Sequence, residues 1–302
     1  MKDTSSVPTV SVCIPTYNRR NYLEETLQSV FAQTYKGYEI VIVDDGSTDG
    51  TEEMIKQLGH NARYHWQENA GDAVARNKLI ELAIGKYIAF LDSDDLLVPD
   101  AIERMVAVMQ REAEPVIVYG PYLRIDQYGS VIGKSKRKLY SGFVTKYLFQ
   151  DVFVHSCGSM FPKSVLEETG GFDTSLPVCS DYDLWLRLSL KYRFVALSKP
   201  TFKRRRHPGN LSGRSVQNRI TELEVLEHFY YERGGNKVVP KRIAMRRLSK
   251  QTYRAGKCAL ASEPQKAKEL FVKSLRFHPS LKAMFYLAWA AQRGLFELRV
   301  RD

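Results

Sequence analysis

The chain is poor in cysteine, and the few it has form no pattern. Cys13, Cys157, Cys179 and Cys258 are scattered with no CxxC pair, which argues against a zinc ribbon or a dithiol redox motif. Reduced thiols of a cytosolic protein are the expectation. No window approaches the roughly 18 consecutive apolar residues of a membrane-spanning helix. The longest candidate, AMFYLAWAA at 283–291, is too short. The opening stretch, MKDTSSVPTVSVCIPTYN, lacks the basic start, apolar run and small-residue cleavage site of a secretory signal. There is no low-complexity segment and no convincing internal repeat. A glycine-rich phosphate loop is also missing after the first apolar run, where PTYNRRNYL has no glycine. That counts against a nucleotidyltransferase. Aromatic and basic residues do not interleave as a nucleic-acid stacking platform requires.

What is present is ample material for a core, with 44% of the 302 residues hydrophobic. The net charge of +11 is uneven: residues 203–302 hold 23 Lys+Arg against 8 Asp+Glu, while residues 1–202 hold 22 against 26. Such asymmetry marks a basic, partner-facing segment joined to an ordinary globular body. A membrane surface, a nucleic acid or an acidic glycan would each fit.

The first 120 residues alternate apolar runs and helical spacings. Strands are expected at 9–14, 38–45, 62–67, 86–92 and 115–120. Helices are expected at 21–33, 48–58, 72–84 and 99–110, the last with Pro99 in its first turn. This pattern predicts a parallel α/β sheet with helices on both faces. Ligands of such sheets bind beyond the carboxyl ends of the strands, and there lie PTYN, DDGS and DSDD. Later come a basic loop, GKSKRK at 133–138, and helices expected at 142–150, 162–173 and 180–192. Four basic helices follow at 216–232, 240–260, 264–277 and 280–292.

The cluster FLDSDD at 90–95 poses a physical problem. Asp92, Asp94 and Asp95 stand within four positions, and like charges that close repel. A cation, a set of donors or a helix N-terminus must offset them, and a helix cap would account for one acid rather than three.

Seven segments in order, IPTYNR, VDDGSTDGT, ARN, FLDSDD, GGFD, SDYDLWLRL and RHPGNLS, resemble the inverting, nucleotide-sugar-dependent family 2 glycosyltransferases of the GT-A fold. The resemblance covers residues 9 to about 215. It implies a Rossmann-like GT-A catalytic domain over 1–215, with a nucleotide-sugar half up to about 120 and an acceptor half beyond. A basic helical extension over 216–302 follows. It implies a UDP-sugar donor, with dTDP and GDP as alternatives, and a glycan or lipid-linked glycan acceptor. By the resemblance, Pro15 and Tyr17, with Arg19 beside them, meet the nucleobase, and Asp45 reads its N–H edge. Arg76 touches the nucleotide or its diphosphate, and Asp92 faces the ribose or metal shell. Asp94 binds Mn²⁺ or Mg²⁺, joined by His207, and Asp181 is the base that takes the acceptor proton.

Plainer readings stand beside these. Tyr17 caps the core, Asp45 closes an Asx-turn, Arg76 is a solvated helix arginine, Asp183 is the base in place of Asp181, and Lys203–Arg206 is a solvated strand face. A loop at 208–215 with Pro208, Gly209 and Gly213 would close over the donor. The basic tail reads as an interfacial helix on an anionic inner leaflet, as a helical hairpin packed on the catalytic domain, or as one helix-turn-helix repeat. No nucleic-acid partner is expected. The location expected is cytoplasmic, peripheral on the inner face of the cell membrane.

Overall fold

A computed structural model of the chain describes residues 8–58, 62–207 and 215–299, with side chains through residue 290. The chain divides into two compact units, residues 8–144 with 152–207, and residues 145–151 with 215–299.

The first unit begins with β1 (Val10–Thr16), buried along its whole length as a strand covered on both faces must be. Then follow α1 (Arg20–Phe31), β2 (Tyr38–Asp44), α2 (Thr51–Gln57), β3 (Ala62–Trp66), α3 (Asp72–Leu82) and β4 (Tyr87–Phe90). After these come β5 (Leu96–Leu97), α4 (Ala101–Arg111), β6 (Val116–Tyr119), β7 (Tyr122–Ile125) and β8 (Val131–Lys134). The helices form where apolar residues recur every three or four positions. α1 buries Leu23, Leu27 and Val30, and α4 buries Ile102, Met105, Val106 and Met109. α5 (Thr145–Gln150) belongs to the second unit. β9 (Ser159–Pro162), α6 (Lys163–Glu168), α7 (Ser180–Ser189), β10 (Arg193–Ala196) and β11 (Phe202–Arg205) complete the first.

Seven strands form one sheet in the order β10-β6-β9-β4-β1-β2-β3, parallel except for β9. The mostly parallel α/β architecture expected from the alternation is thus present. β1 lies between β2 and β4, with Thr16 paired to Asp44 and Cys13 to Phe90. The chain winds outward from β1 through β2 to β3, then returns to the other side of β1. The crevice at this reversal is where ligands of open α/β sheets bind. A second sheet, β5-β11-β7-β8, was not legible in the sequence. Its strands have two to four residues, too short for periodicity to stand out. It matters because β11 returns from residue 202 to pair with β5, directly after the acidic cluster.

The second unit is helical: α5, α8 (Val216–Tyr231), α9 (Lys241–Ala259), α10 (Pro264–Phe277) and α11 (Leu281–Arg299). α5 lies within the span expected for the catalytic domain but groups here for a packing reason. Phe149 meets Phe229 and Tyr230, each at 6.0 Å, and its carbonyl accepts from Arg247 Nε at 3.1 Å. α9 and α10 form a tight hairpin. A Cβ on Gly256 would lie 2.9 Å from the Phe271 ring, so glycine permits that approach. Among the described residues no helix is long and apolar enough to cross a membrane.

Candidate active site

Two loops at the carboxyl ends of β1 and β2 clasp each other. Asn18 N donates to Ser47 Oγ at 2.8 Å, and Thr48 N donates to Asn18 Oδ1 at 2.8 Å. Arg20 N donates to Asp49 at 3.0 Å. Asn18 takes a left-handed backbone, φ 49°, a conformation Asn tolerates better than most residues. The turn leaves Tyr17 50% exposed at the crevice, so it is no core cap. Pro15 is buried in β1 opposite Val43. Arg19 is partly buried at the start of α1.

The two aspartates ending β2 are both buried and have different partners. Asp44 accepts from Ser47 N at 2.8 Å and from Tyr64 Oη at 2.7 Å, so it is Asp44 that shapes the DDGS turn. Asp45 accepts from Gln67 Nε2, Ala70 N and Gly71 N at 2.7–2.9 Å. A carboxylate offers about four acceptor positions, so Asp45 organises the 67–71 loop and keeps one position over. Gly46, which follows them, has φ 90°, and a Cβ there would lie 3.0 Å from Asn69 N. Only glycine suits that position.

In the acidic cluster each carboxylate has its own partner. Asp92 accepts from Arg76 Nη2 at 2.7 Å. Asp94 Oδ2 lies 2.9 Å from His207 Nε2. Asp95 accepts from the backbone N–H of Arg205 at 2.8 Å. Burial, with the charges of Asp92 and Asp94, pushes the Asp95 carboxyl well above the usual range. It is the most buried of the three.

Arg76 is not a solvated helix arginine. It is buried, its Nε donates to Asp72 at 2.8 Å, and its guanidinium lies 5.7 Å from the rings of Phe90 and Phe172. Asp72 and Asp92 take two of its nitrogens, and its Nη1 is buried with no hydrogen-bond partner among the described residues. Nor is 203–206 simply a solvated strand face, because Arg205 is wholly buried. It donates to the carbonyls of Asp94 and Gln127 at 2.9 and 3.0 Å and pairs with Glu25 at 2.7 Å. This brings His207 to Asp94, with Tyr22 beside its ring at 4.8 Å. The loop expected to close at 208–215 lies almost wholly outside the described residues.

Asp181 and Asp183 open α7, where acidic residues suit the helix dipole. Asp183 is buried and paired with Arg187 at 2.8 Å. Arg187 also donates to the carbonyls of Thr169 and Gly171, both at 2.6 Å, which ties α7 to the Gly-Gly turn. Asp181 is partly buried and accepts from Tyr182 N at 2.7 Å. Desolvation raises its carboxyl above the usual value. Arg76 opposes that shift, and Asp72 and Asp92 add to it. Asp181 therefore shares one electrostatic cluster with the Arg76–Asp92 pair. Its neighbour Cys179 has φ 64°, a conformation that costs energy in a non-glycine residue and recurs at functional sites.

Whether a divalent cation fits depends on the donor chemistry. Asp92, Asp95 and Cys157 lie with potential ligand atoms within 4.8 Å of one another. Burial pushes the Cys157 thiol up, which keeps it protonated and unsuited to Mn²⁺ or Mg²⁺. By donor chemistry the oxygens of Asp92 and Asp94 and the His207 imidazole suit Mn²⁺ better than Mg²⁺, although among the described residues Asp94 and His207 are held on each other and only Asp92, Asp95 and Cys157 form a three-ligand group. Sequence reasoning missed Tyr22, Glu25, Asp72, His155 and Arg205 in this neighbourhood. Only Arg205 left a signal, in the KRRR run.

The glycosyl transferase family 2 sequence model matches residues 11–170. The chain is a family 2 glycosyltransferase. It is similar to an uncharacterized glycosyltransferase of Rickettsia typhi, 33% identical over 240 residues, covering 75% of this chain and 72% of that one. It is 33% identical over 250 residues to chondroitin synthase of Pasteurella multocida, covering 82% of this chain and 24% of the synthase. With the hyaluronan synthase of Pasteurella multocida it shares 34% identity over 209 residues, 68% of this chain and 21% of that one. The family 2 glycosyltransferase thus spans only a fraction of those two synthases. Among solved structures, S. aureus TarS in complex with UDP-GlcNAc aligns with TM-score 0.66 and 17% identity over 90% of this chain and 82% of TarS. PcManGT, a mannosyltransferase from Pyrobaculum calidifontis in complex with GDP-Man and Mn²⁺, aligns with TM-score 0.57 and 21% identity over 97% of this chain and 88% of that one. These likenesses establish the GT-A-like fold.

Proposed function

We propose that this glycosyltransferase moves a hexose or related sugar from a UDP-sugar to a hydroxyl of a polysaccharide, envelope glycan or glycolipid in one inverting displacement. The observation that carries the reading is that two groups, Asp94 with His207 and Asp92 with Arg76 and Asp181, stand at the DSDD segment that follows β4. Tyr17 offers the base a stacking face. Asp45 spends its remaining acceptor position on the base N–H edge. Pro15 and Arg19 shape the same end of β1, and Arg76 holds Asp92 toward the ribose. Asp94 and His207 would hold Mn²⁺ or Mg²⁺, with Asp92 beside them. When bound, that ion supplies Lewis-acid neutralisation of the diphosphate.

Asp181 takes the acceptor hydroxyl proton as the acceptor oxygen bonds to the anomeric carbon. The bond from that carbon to the phosphate oxygen breaks, and its electron pair leaves with the nucleoside diphosphate. No covalent enzyme intermediate forms. Asp181 suits the base role better than Asp183, whose carboxylate is committed to Arg187. A positioned base of this kind contributes about 10²–10⁴-fold.

The second unit supports peripheral binding to an anionic inner-leaflet surface. α11 turns Ala283 and Ala290 inward, yet Leu281, Met284, Phe285 and Trp289 face outward. That helical-period apolar stripe lies within the most basic part of the chain.

The test is release of nucleoside diphosphate from a panel of UDP-, dTDP- and GDP-sugars, by wild type and Asp181→Asn. Turnover of one nucleotide class, lost in the variant with nucleotide binding intact, supports the reading. Equal turnover by both proteins rejects Asp181 as base.

A further inference from the structure

The GKSKRK loop and strand β11, which the donor chemistry leaves unused in part, meet on the second sheet. β7 and β11 are parallel neighbours with Arg124 opposite Arg204. Two like charges therefore leave adjacent strands on one face, an arrangement that is unfavourable without a counter-charge. Arg204 lies 5.9 Å from the Tyr122 ring centre, and Tyr122 meets the His155 ring edge-on at 5.1 Å. On β8 the residue opposite Arg124 is Gly133. A Cβ there would lie 2.7 Å from Arg124 Nη2, so glycine leaves the guanidinium its space. β8 then runs into Lys134, Lys136, Arg137 and Lys138, all exposed.

The polar atoms here are incompletely satisfied. Arg124 Nε and His155 Nε2 are buried with no hydrogen-bond partner among the described residues. Arg204 has the nearby charges of Asp95 and Asp92 to offset it, but Arg124 has no ion pair among the described residues. Burial, with the positive charges of Arg204, Arg137 and Arg206, holds the His155 imidazole down to about 3 against the pull of Asp92. His155 is thus neutral at working pH, and in one tautomer its Nε2 is a further donor. Arg124 Nε and His155 Nε2, two polar atoms without a partner in a positive field, describe half of an anion site.

We propose that Arg124 and Arg204, with the 134–138 loop, bind a phosphate or carboxylate group carried by the acceptor, so that the enzyme elongates or decorates an anionic glycan. The proposal rests on the glycosyl-transfer reading and names its acceptor class. Asp92 lies within the electrostatic reach of both His155 and Arg204, so the cluster adjoins the donor crevice. It is built on strands that carry none of Tyr17, Asp45 or Asp181, which separates it from the nucleotide loops.

The experiment is saturation-transfer NMR on the whole protein, loaded with UDP and Mg²⁺. One arm uses glucose 6-phosphate, a second glucuronate, and a third glucose as the neutral control. One acidic sugar is expected to bind beside UDP while glucose does not. Arg124→Gln should weaken that binding by about tenfold or more, and Arg124→Lys should lose less. UDP affinity stays unchanged in both variants and reports that they are folded. The phosphate and carboxylate arms tell a phosphodiester glycan from a uronate glycan. Three results overturn the proposal while leaving the donor reading intact: neither acidic sugar binds, the acidic sugar displaces UDP, or Arg124→Gln binds as wild type does. Failure of UDP itself to bind, visible before any sugar is added, removes the donor reading and this proposal with it.

Discussion

The two units of this molecule handle charge in opposite ways. At the crevice of the first, largely buried arginine side chains are each matched to specific carboxylates: Arg76 to Asp72 and Asp92, Arg205 to Glu25, Arg187 to Asp183. In the second, among the described residues, Arg247 with Glu222 is buried as such a pair, Arg247 is the one charged residue that is buried, and α11 exposes apolar residues. A matched buried pair depends on residue identity, so changing one member has a large, local effect. A charged surface acts by summation, so single changes have small effects. Substitutions in the two units should therefore differ in kind.

The largest effect is expected at Asp181. Asp181→Asn should lower transfer about 10²–10⁴-fold while nucleotide affinity stays put, as read by steady-state kinetics and calorimetry. The Asp181 carboxyl is raised in the fold, so its ionised form destabilises the protein at neutral pH. The variant should melt no lower than wild type. The raised value also fixes the sign of the pH dependence. The base must be ionised, so kcat/KM should fall as pH drops, with its acid limb above the ordinary carboxylate range.

Next comes Arg205→Met, which leaves the carbonyls of Asp94 and Gln127 without the buried donor they share. Chemical denaturation should show a loss of about 2–4 kcal/mol, with weaker metal-dependent nucleotide binding as Asp94 shifts. Gly256→Val presses on Phe271 in the other unit. It should cost about 1–3 kcal/mol with nucleotide affinity untouched, and altered affinity there would break the comparison. Smallest in stability is Phe285→Ser on α11. At an exposed position it should change stability by about 0.5 kcal/mol or less, yet reduce sedimentation with anionic vesicles.

The same contrast explains what could be read from the residues. The long apolar runs of β1 and β2 announce a parallel sheet, and PTYN, DDGS and DSDD sit at strand ends because a crevice there needs polar side chains. The acids of FLDSDD were legible as a cluster needing partners. Arg205 was not legible as a partner, because it lies more than a hundred residues away and reaches the cluster only through β11, and His207 was placed beside Asp94 by the family resemblance alone. Arg76 read as a nucleotide or diphosphate contact by the resemblance, or else as a solvated helix arginine, because helical spacing says nothing about the Asp72 and Asp92 carboxylates that hold it. Asp45 read as a free acceptor, although the Gln67–Gly71 loop supplies it with three donors that no local pattern reveals. His155 carries no motif at all. In α11 the inward and outward apolar residues follow the same helical period, so sequence alone could not tell a packed face from an exposed one.

The central claim is a metal-dependent nucleoside-diphosphate site built on Asp94. Calorimetric titration with UDP, dTDP and GDP, each with Mn²⁺ and with EDTA, on wild type and Asp94→Ala tests it most directly. UDP is expected to bind in Mn²⁺, to bind much more weakly in EDTA, and to lose its metal dependence in the variant. Binding of no nucleotide under either condition, or binding indifferent to both Mn²⁺ and Asp94, would contradict it.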